Sequence, residues 1–240
     1  EKIGPEAEFI EWNEQNFDIN CCKYVKEAYL HKKWAFVSAH CRYYVLFRFG
    51  GIYLDTDVEL IKELKDLPET FVGFESGAKQ VASGLIRGSK IEDAICKLML
   101  DSYQNDNFVL ENGSLNTKTV CERETEILVE AGLQLENRLQ NIHGTVVYPV
   151  EYFCPYNFAT GELHISQKTY SIHHYASSWL SPLQRETLSL TQKLSRYFPQ
   201  KTAHYISLVL VSLRYDGVRT TGKKTMKYVK KLLTVRNNLW

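Results

Sequence analysis

The chain is short of several things, and each shortage sets a limit. Proline numbers 6 and glycine 13 in 240 residues, which excludes collagen-like and low-complexity composition. Hydrophobic residues at 44% and aromatics at 12% exclude global disorder. No apolar run approaches the ~20 residues that a helix needs to span a bilayer. The longest, Ile206 to Leu213, has eight. The first residue is Glu1, and no charged, apolar leader follows it, so no signal peptide is expected and a trimmed start is. The six cysteines (Cys21, Cys22, Cys41, Cys96, Cys121 and Cys154) include no CxxC pair, and their spacing resembles no zinc site. The expectation is a reduced, cytosolic protein with ordinary buried thiols.

Net charge is also nearly absent, at +1. That total conceals an asymmetry. Residues 1–180 carry a net of −9, whereas 181–240 hold 12 Lys and Arg against 2 Asp and Glu, a net of +10. The shift falls at Ser181-Pro182, where proline interrupts local structure. Two regions are therefore expected, a body over 1–181 and a basic helical tail over 182–240. Nucleic-acid binding is not expected, because no recognised motif accompanies the tail's charge.

Within the body, helix and strand signals alternate, which predicts the α/β class. Helices are expected at Asn20–Leu30, Ile91–Tyr103, Thr125–Ala131 and from Ser38, read as an N-cap, to Phe49. In the last of these, Cys41, Val45, Leu46 and Phe49 fall on one side. Gly50-Gly51 ends that helix. Short strands are expected at Ile52–Leu54, Phe71–Phe74, Leu85-Ile86, Thr145–Val150 and Tyr170–His173. The tail reads as helices at Leu183–Tyr197, Ala203–Leu213 and Thr225–Val235, the last basic and amphipathic.

The segment with the clearest chemistry is Gly50-Gly51-Ile52-Tyr53-Leu54-Asp55-Thr56-Asp57. Ligands in α/β sheets gather beyond the carboxyl ends of strands. Hard divalent cations take carboxylate oxygens and bridge to phosphates. An Asp-x-Asp at a strand end therefore suits a metal–diphosphate site. A bare DxD is usually a solvated turn, but placement after Gly-Gly and an apolar strand favours the site. Haloacid-dehalogenase phosphatases share the layout, yet follow it with a hydroxyl or branched residue where this chain has Glu59. A second cluster, Ser171-Ile172-His173-His174-Tyr175-Ala176-Ser177-Ser178-Trp179, gathers imidazoles that ligate metals with hydroxyl and indole donors that suit phosphate oxygens. A surface loop with a half-buried Trp is the blander alternative.

The stretch Trp34–Arg42, the run Arg48–Glu59, the closing HHYASSW and the early Ile10-Glu11-Trp12-Asn13 together resemble the DXD region of glycosyltransferase family 32, over about residues 9 to 179. The resemblance implies a GT-A-like nucleotide-sugar-binding sheet flanked by helices, here with a C-terminal basic helical extension. It implies Mn²⁺ or Mg²⁺ held by Asp55 and Asp57 with His173 or His174. Asp55, Asp57 and Arg42 are the catalytic candidates, Arg42 facing the donor sugar. Ser38, Tyr53, Ser178 and Trp179 are the donor-binding candidates. The implied reaction is sugar transfer with retention, from a UDP-sugar in preference to GDP-mannose. The acceptor is a saccharide or lipid-linked, in cell-surface polysaccharide synthesis of the bacterial capsular type.

Two departures accompany the resemblance. The family pattern SDxxR here is Ser38-Ala39-His40-Cys41-Arg42, so alanine replaces a carboxylate thought to bind sugar hydroxyls. No Pro-Lys-x-Ile-His-type first strand is present, so the first nucleotide-binding strand is expected to be missing. Both departures support an alternative, a catalytically weakened sugar-nucleotide binder or scaffold within a polysaccharide-assembly complex. The basic tail is expected to hold the protein in the cytoplasm against the inner face of the membrane.

Overall fold

The computed structural model describes residues 7–75, 77–158, 160–175 and 180–217. The chain divides into two compact units. The first runs to Tyr156 and adds His164–His174; the second takes Asn157–Leu163 and the chain from Tyr175 on. Among the described residues no helix is long and apolar enough to cross a membrane.

The first unit opens with α1 (Lys23–Leu30) and α2 (Trp34–Phe49), followed by β1 (Gly51–Tyr53), β2 (Val58–Leu60), β3 (Phe71–Gly73) and β4 (Arg87–Ser89). Next come α3 (Ala94–Gln104), α4 (Val120–Glu130), β5 (Gln140–Ile142), β6 (Thr145–Tyr148), α5 (Val150–Phe153) and, later in the chain, β9 (Ser171–His173). Five strands form one sheet in the order β1-β4-β3-β6-β5. Only the β3–β6 pair is parallel, so the sheet is mixed. Helices flank it, an α/β arrangement compatible with a GT-A-like fold. A separate two-stranded pair joins β2 to β9.

One core cluster packs the sheet against α4, with Val72, Phe74, Val81, Leu128, Ile142 and Val147 at its heart. Another joins α1, α2 and α3 through Tyr24, Ala28, Tyr43, Leu46, Met99 and Tyr103. Helix α2 passes between neighbours and is buried at Ala39 through Tyr43 and again at Val45 and Leu46. Burial at consecutive positions marks a helix enclosed on several sides. Phe49 does not join that face. It is exposed and packs at a tilt against Trp12, with ring centroids 5.4 Å apart.

Several boundaries differ from the sequence expectation. Helix α2 begins at Trp34 rather than Ser38, because Phe36 and Val37 already pack into the core. Ser38 lies inside the helix and is exposed, its Oγ donating to the Ala35 carbonyl at 3.1 Å. Thr119 starts α4 with a reciprocal capping box to Glu122, earlier than the apolar pattern from Thr125 indicated. Asp93 caps α3 by accepting from the Cys96 amide. Strand β4 falls at Arg87–Ser89, just past the apolar pair Leu85-Ile86. Arg87 is fully buried there, beside Glu124 and Asp93 at 3.6 and 3.5 Å, so a charged residue occupies a central strand that an apolar pattern misses.

The second unit takes Asn157 of β7 (Tyr156–Asn157), β8 (Glu162–Leu163), α6 (Pro182–Leu194) and a helix over 200–217. Ser181 caps α6 with Pro182 in its first turn, where the missing N–H breaks no helical hydrogen bond. Gln192 donates to the Phe158 carbonyl at 2.8 Å, and Arg214 pairs with Glu186 at 2.6 Å. The expected helix at Thr225–Val235 lies outside the described residues.

Candidate functional site: an Asp-Asp-His cluster at the end of β1

The site is built by a short run of backbone constraints. Gly50 and Gly51 take φ of 67° and 90°, a left-handed region that favours glycine. A Cβ on Gly50 would also sit 3.0 Å from the Ser89 carbonyl oxygen. These two residues turn the chain from α2 into β1. The Asp55 amide then donates to the Gly84 carbonyl at 3.2 Å, and the Val58 amide closes back on the Asp55 carbonyl at 3.1 Å. Both carboxylates of the DXD thus lie on a tight turn just beyond a strand end.

β9 supplies the third member. Val58 stands opposite His173 and Glu59 opposite Ile172 in the antiparallel β2–β9 register. The His174 amide donates to the Asp57 carbonyl at 3.0 Å, fixing the end of the pair. Nε2 of His173 lies 3.2 Å from Asp57 Oδ1 and 3.8 Å from Asp55 Oδ2. Asp55, Asp57 and His173 each offer a ligand atom, all within 4.8 Å of one another. Two carboxylate oxygens and an imidazole nitrogen, partly open to solvent, fit a hard to borderline divalent cation.

His174 goes elsewhere. Its Nε2 meets Glu59 Oε2 at 2.9 Å on an exposed surface. Adjacent residues on a strand point to opposite faces, so only one histidine of the pair reaches the DXD. Ser178 and Trp179 lie outside the described residues. Ser38 is exposed and bonded to its own helix, and nothing described brings it to the cluster.

Arg42 is buried behind Asp55. Its Nη2 donates to Asp55 Oδ1 at 2.8 Å and its Nη1 to Ser83 Oγ at 2.8 Å. Tyr43 also donates to Ser83 Oγ, at 3.0 Å. The Arg42 guanidinium rests 4.4 Å over the Tyr53 ring, a favourable cation–π placement. Burial is the largest single influence on Asp55 and works against its ionisation, but Arg42, His173 and Tyr53 together outweigh it, and the carboxyl is held below its ordinary value. Burial pushes the Tyr53 phenol up, against the pull of Arg42, and keeps it a donor.

Ser83, Gly84 and Tyr43 belong to this arrangement and were not singled out by sequence. A Cβ at Gly84 would fall 2.3 Å from Asp55 Oδ2, so only glycine leaves that carboxylate its place. The Ser83-Gly84 dipeptide was the available signal, since a glycine beside an apolar run marks close approach of another group.

Residues 1–72 match the family model described as a glycosyltransferase sugar-binding region containing a DXD motif. The matched segment includes α2, Arg42 and the Asp55–Asp57 turn. No curated protein and no solved structure matches the chain. The match supports a glycosyltransferase, and a sugar-binding region of that kind implies a nucleotide-sugar donor.

Proposed function

We propose that this chain is a metal-dependent, retaining glycosyltransferase of family 32. In this reading it moves a sugar from a nucleotide-sugar donor, a UDP-sugar in preference to GDP-mannose, to a saccharide or lipid-linked acceptor in capsular or related cell-surface polysaccharide synthesis. The observation that carries the reading is the convergence of Asp55, Asp57 and His173 at a strand end, within the segment that matches a DXD sugar-binding region.

Asp57 and His173 would hold Mn²⁺ or Mg²⁺, with Asp55 completing the set or meeting the ribose. When bound, such a cation supplies Lewis-acid stabilisation of charge on the departing nucleotide diphosphate. Arg42, nearly enclosed and committed to Asp55 and Ser83, acts as a positioning residue through Asp55. The Tyr53 ring lies against the same guanidinium, 4.4 Å from it. Together they fix the orientation of Asp55 before any ligand arrives, which limits the reorganisation needed on binding.

A second reading, a sugar-nucleotide binder with weakened turnover, is supported by Ala39. It is buried on α2, one turn before Arg42, and offers no hydrogen-bond acceptor where the family pattern has a carboxylate. Release of free nucleotide from UDP-sugars with Mn²⁺ separates the two. Turnover in the wild type that disappears in Asp57→Ala supports the transferase; donor binding without turnover supports the binder. Peripheral contact with an anionic membrane face is proposed from the +10 charge of residues 181–240. Co-sedimentation with phosphatidylglycerol vesicles that is lost at high salt tests it.

A further inference from the structure

Helix α2 bears on two chemically different ligand sets. Arg42 backs the oxygen-rich one. His40, two residues earlier and therefore turned to another side of the helix, faces a sulfur-rich one. Cys21, Cys22 and His40 each present a ligand atom, all within 4.8 Å of one another. Cys21 Sγ stands 3.9 Å from His40 Nδ1. Both cysteines are free thiols. His40 is only 2% exposed, and its Nε2 has no hydrogen-bond partner.

Local structure holds the three in place. The Cys21 amide closes a turn on the Asp18 carbonyl at 3.1 Å. Cys22 is the N-cap of α1 in extended conformation, yet its side chain caps nothing. The His40 ring lies between Phe17 and Tyr103, with centroids 6.0 and 5.4 Å away. Phe17, Val25, Cys41 and Val45 pack the preceding segment and α1 onto α2 around it. The nitrogen turned to the sulfurs is Nδ1, so the enclosed ring presents a ligand atom to the cysteine side.

We propose that Cys21, Cys22 and His40 form a second metal site, for a borderline-soft divalent cation of the zinc class, with a fourth position left to a ligand from outside the trio. Thiolate and imidazole ligands select that class, whereas the carboxylates of the DXD cluster select harder cations. Zn–S bonds of about 2.3 Å and Zn–N bonds of about 2.0 Å in a tetrahedron separate ligand atoms by roughly 3.5–3.8 Å. The trio therefore has only a small contraction to make. Binding releases two thiol protons to solvent and leaves a neutral cluster of one dication and two thiolates. Its effect is to tie the segment ahead of α1 to the helix that carries Arg42.

Co²⁺ is the probe. Reduced, chelator-treated full-length chain titrated with Co²⁺ should develop a near-ultraviolet thiolate-to-metal charge-transfer band that saturates at one equivalent and is displaced by Zn²⁺. Asp57→Asn should keep the band, and Cys22→Ser should lose it. His40→Gln should weaken Co²⁺ affinity by about tenfold or more. Absence of the band in the wild type, or a band of full strength in Cys22→Ser, overturns the proposal. Should the variants fail to fold, thiol counting on the wild type decides instead. Zn²⁺ is expected to remove both thiols from the pool that reacts with a disulfide reagent, and an unchanged count contradicts the site.

Discussion

Val58 and His173 are direct partners in the β2–β9 pair, and this register sets an imidazole from the end of the first unit against the carboxylate of Asp57. A slip of one residue would present His174 instead, since side chains alternate between faces. The observed partner of His174 is Glu59, on the opposite and exposed side. His173→Ala is accordingly expected to weaken Mn²⁺ binding by roughly tenfold or more, and His174→Ala to leave it unchanged, because an exposed pair contributes at most about 1 kcal/mol. Electron paramagnetic resonance of free Mn²⁺ during titration reads both.

Removing Arg42 should cost stability as well as function. Its guanidinium is buried, and Asp55 retains about one-third exposure, so Arg42→Met leaves a partly buried carboxylate without its cation. Urea denaturation should show a loss of about 3 kcal/mol, at the lower end for a broken buried pair. The double variant Arg42→Met with Asp55→Asn should recover part of that loss, because the stranded charge is gone.

Acid should reveal the same pair. Asp55 is held below its ordinary value in the folded chain, so the stability it contributes is present above the unfolded carboxyl value of about 3.9 and is lost as pH falls through the folded value. In chelator-treated protein, wild type should therefore lose more stability than Asp55→Asn on acidification below about pH 4. Equal slopes for the two proteins in that window would remove the Arg42–Asp55 pair from the account.

Gly84→Ala tests how closely the carboxylate is fitted. The added methyl would overlap Asp55 Oδ2, while the other side of Asp55 is held by Arg42. Asp55 must swing away, and a displacement near 1 Å at a reacting centre is worth up to about 100-fold in rate. A fall of tenfold or more in nucleotide release is expected, with the circular dichroism spectrum of the wild type retained.

Much of this arrangement was legible in the sequence, and for local reasons. Gly50-Gly51, the apolar strand and the two aspartates are contiguous, and their spacing alone sets the turn. The α/β class followed from alternating periodicities. What escaped was non-local. Ser83 and Gly84 meet Arg42 and Asp55 from about 30 to 40 positions away, and no periodicity encodes that approach. Strand β2 escaped because Val58–Leu60 is only three residues long and pairs with a strand more than 100 residues later. The choice between His173 and His174 depends on strand register, which a pair of adjacent histidines leaves open. Cys21 and Cys22 were expected inside a helix, but they precede α1, and only the packing of that helix on α2 brings His40 to them.

The central claim is that Asp55, Asp57 and His173 hold a cation that binds a nucleotide diphosphate. Calorimetric titration of the full chain with UDP, and with GDP in parallel, in Mn²⁺ and again in chelator, tests it most directly. The account predicts binding of one of the two nucleotides in Mn²⁺, at least about tenfold weaker in chelator, and lost in Asp57→Asn. Equal affinity with and without Mn²⁺, or binding undiminished in Asp57→Asn, would contradict it.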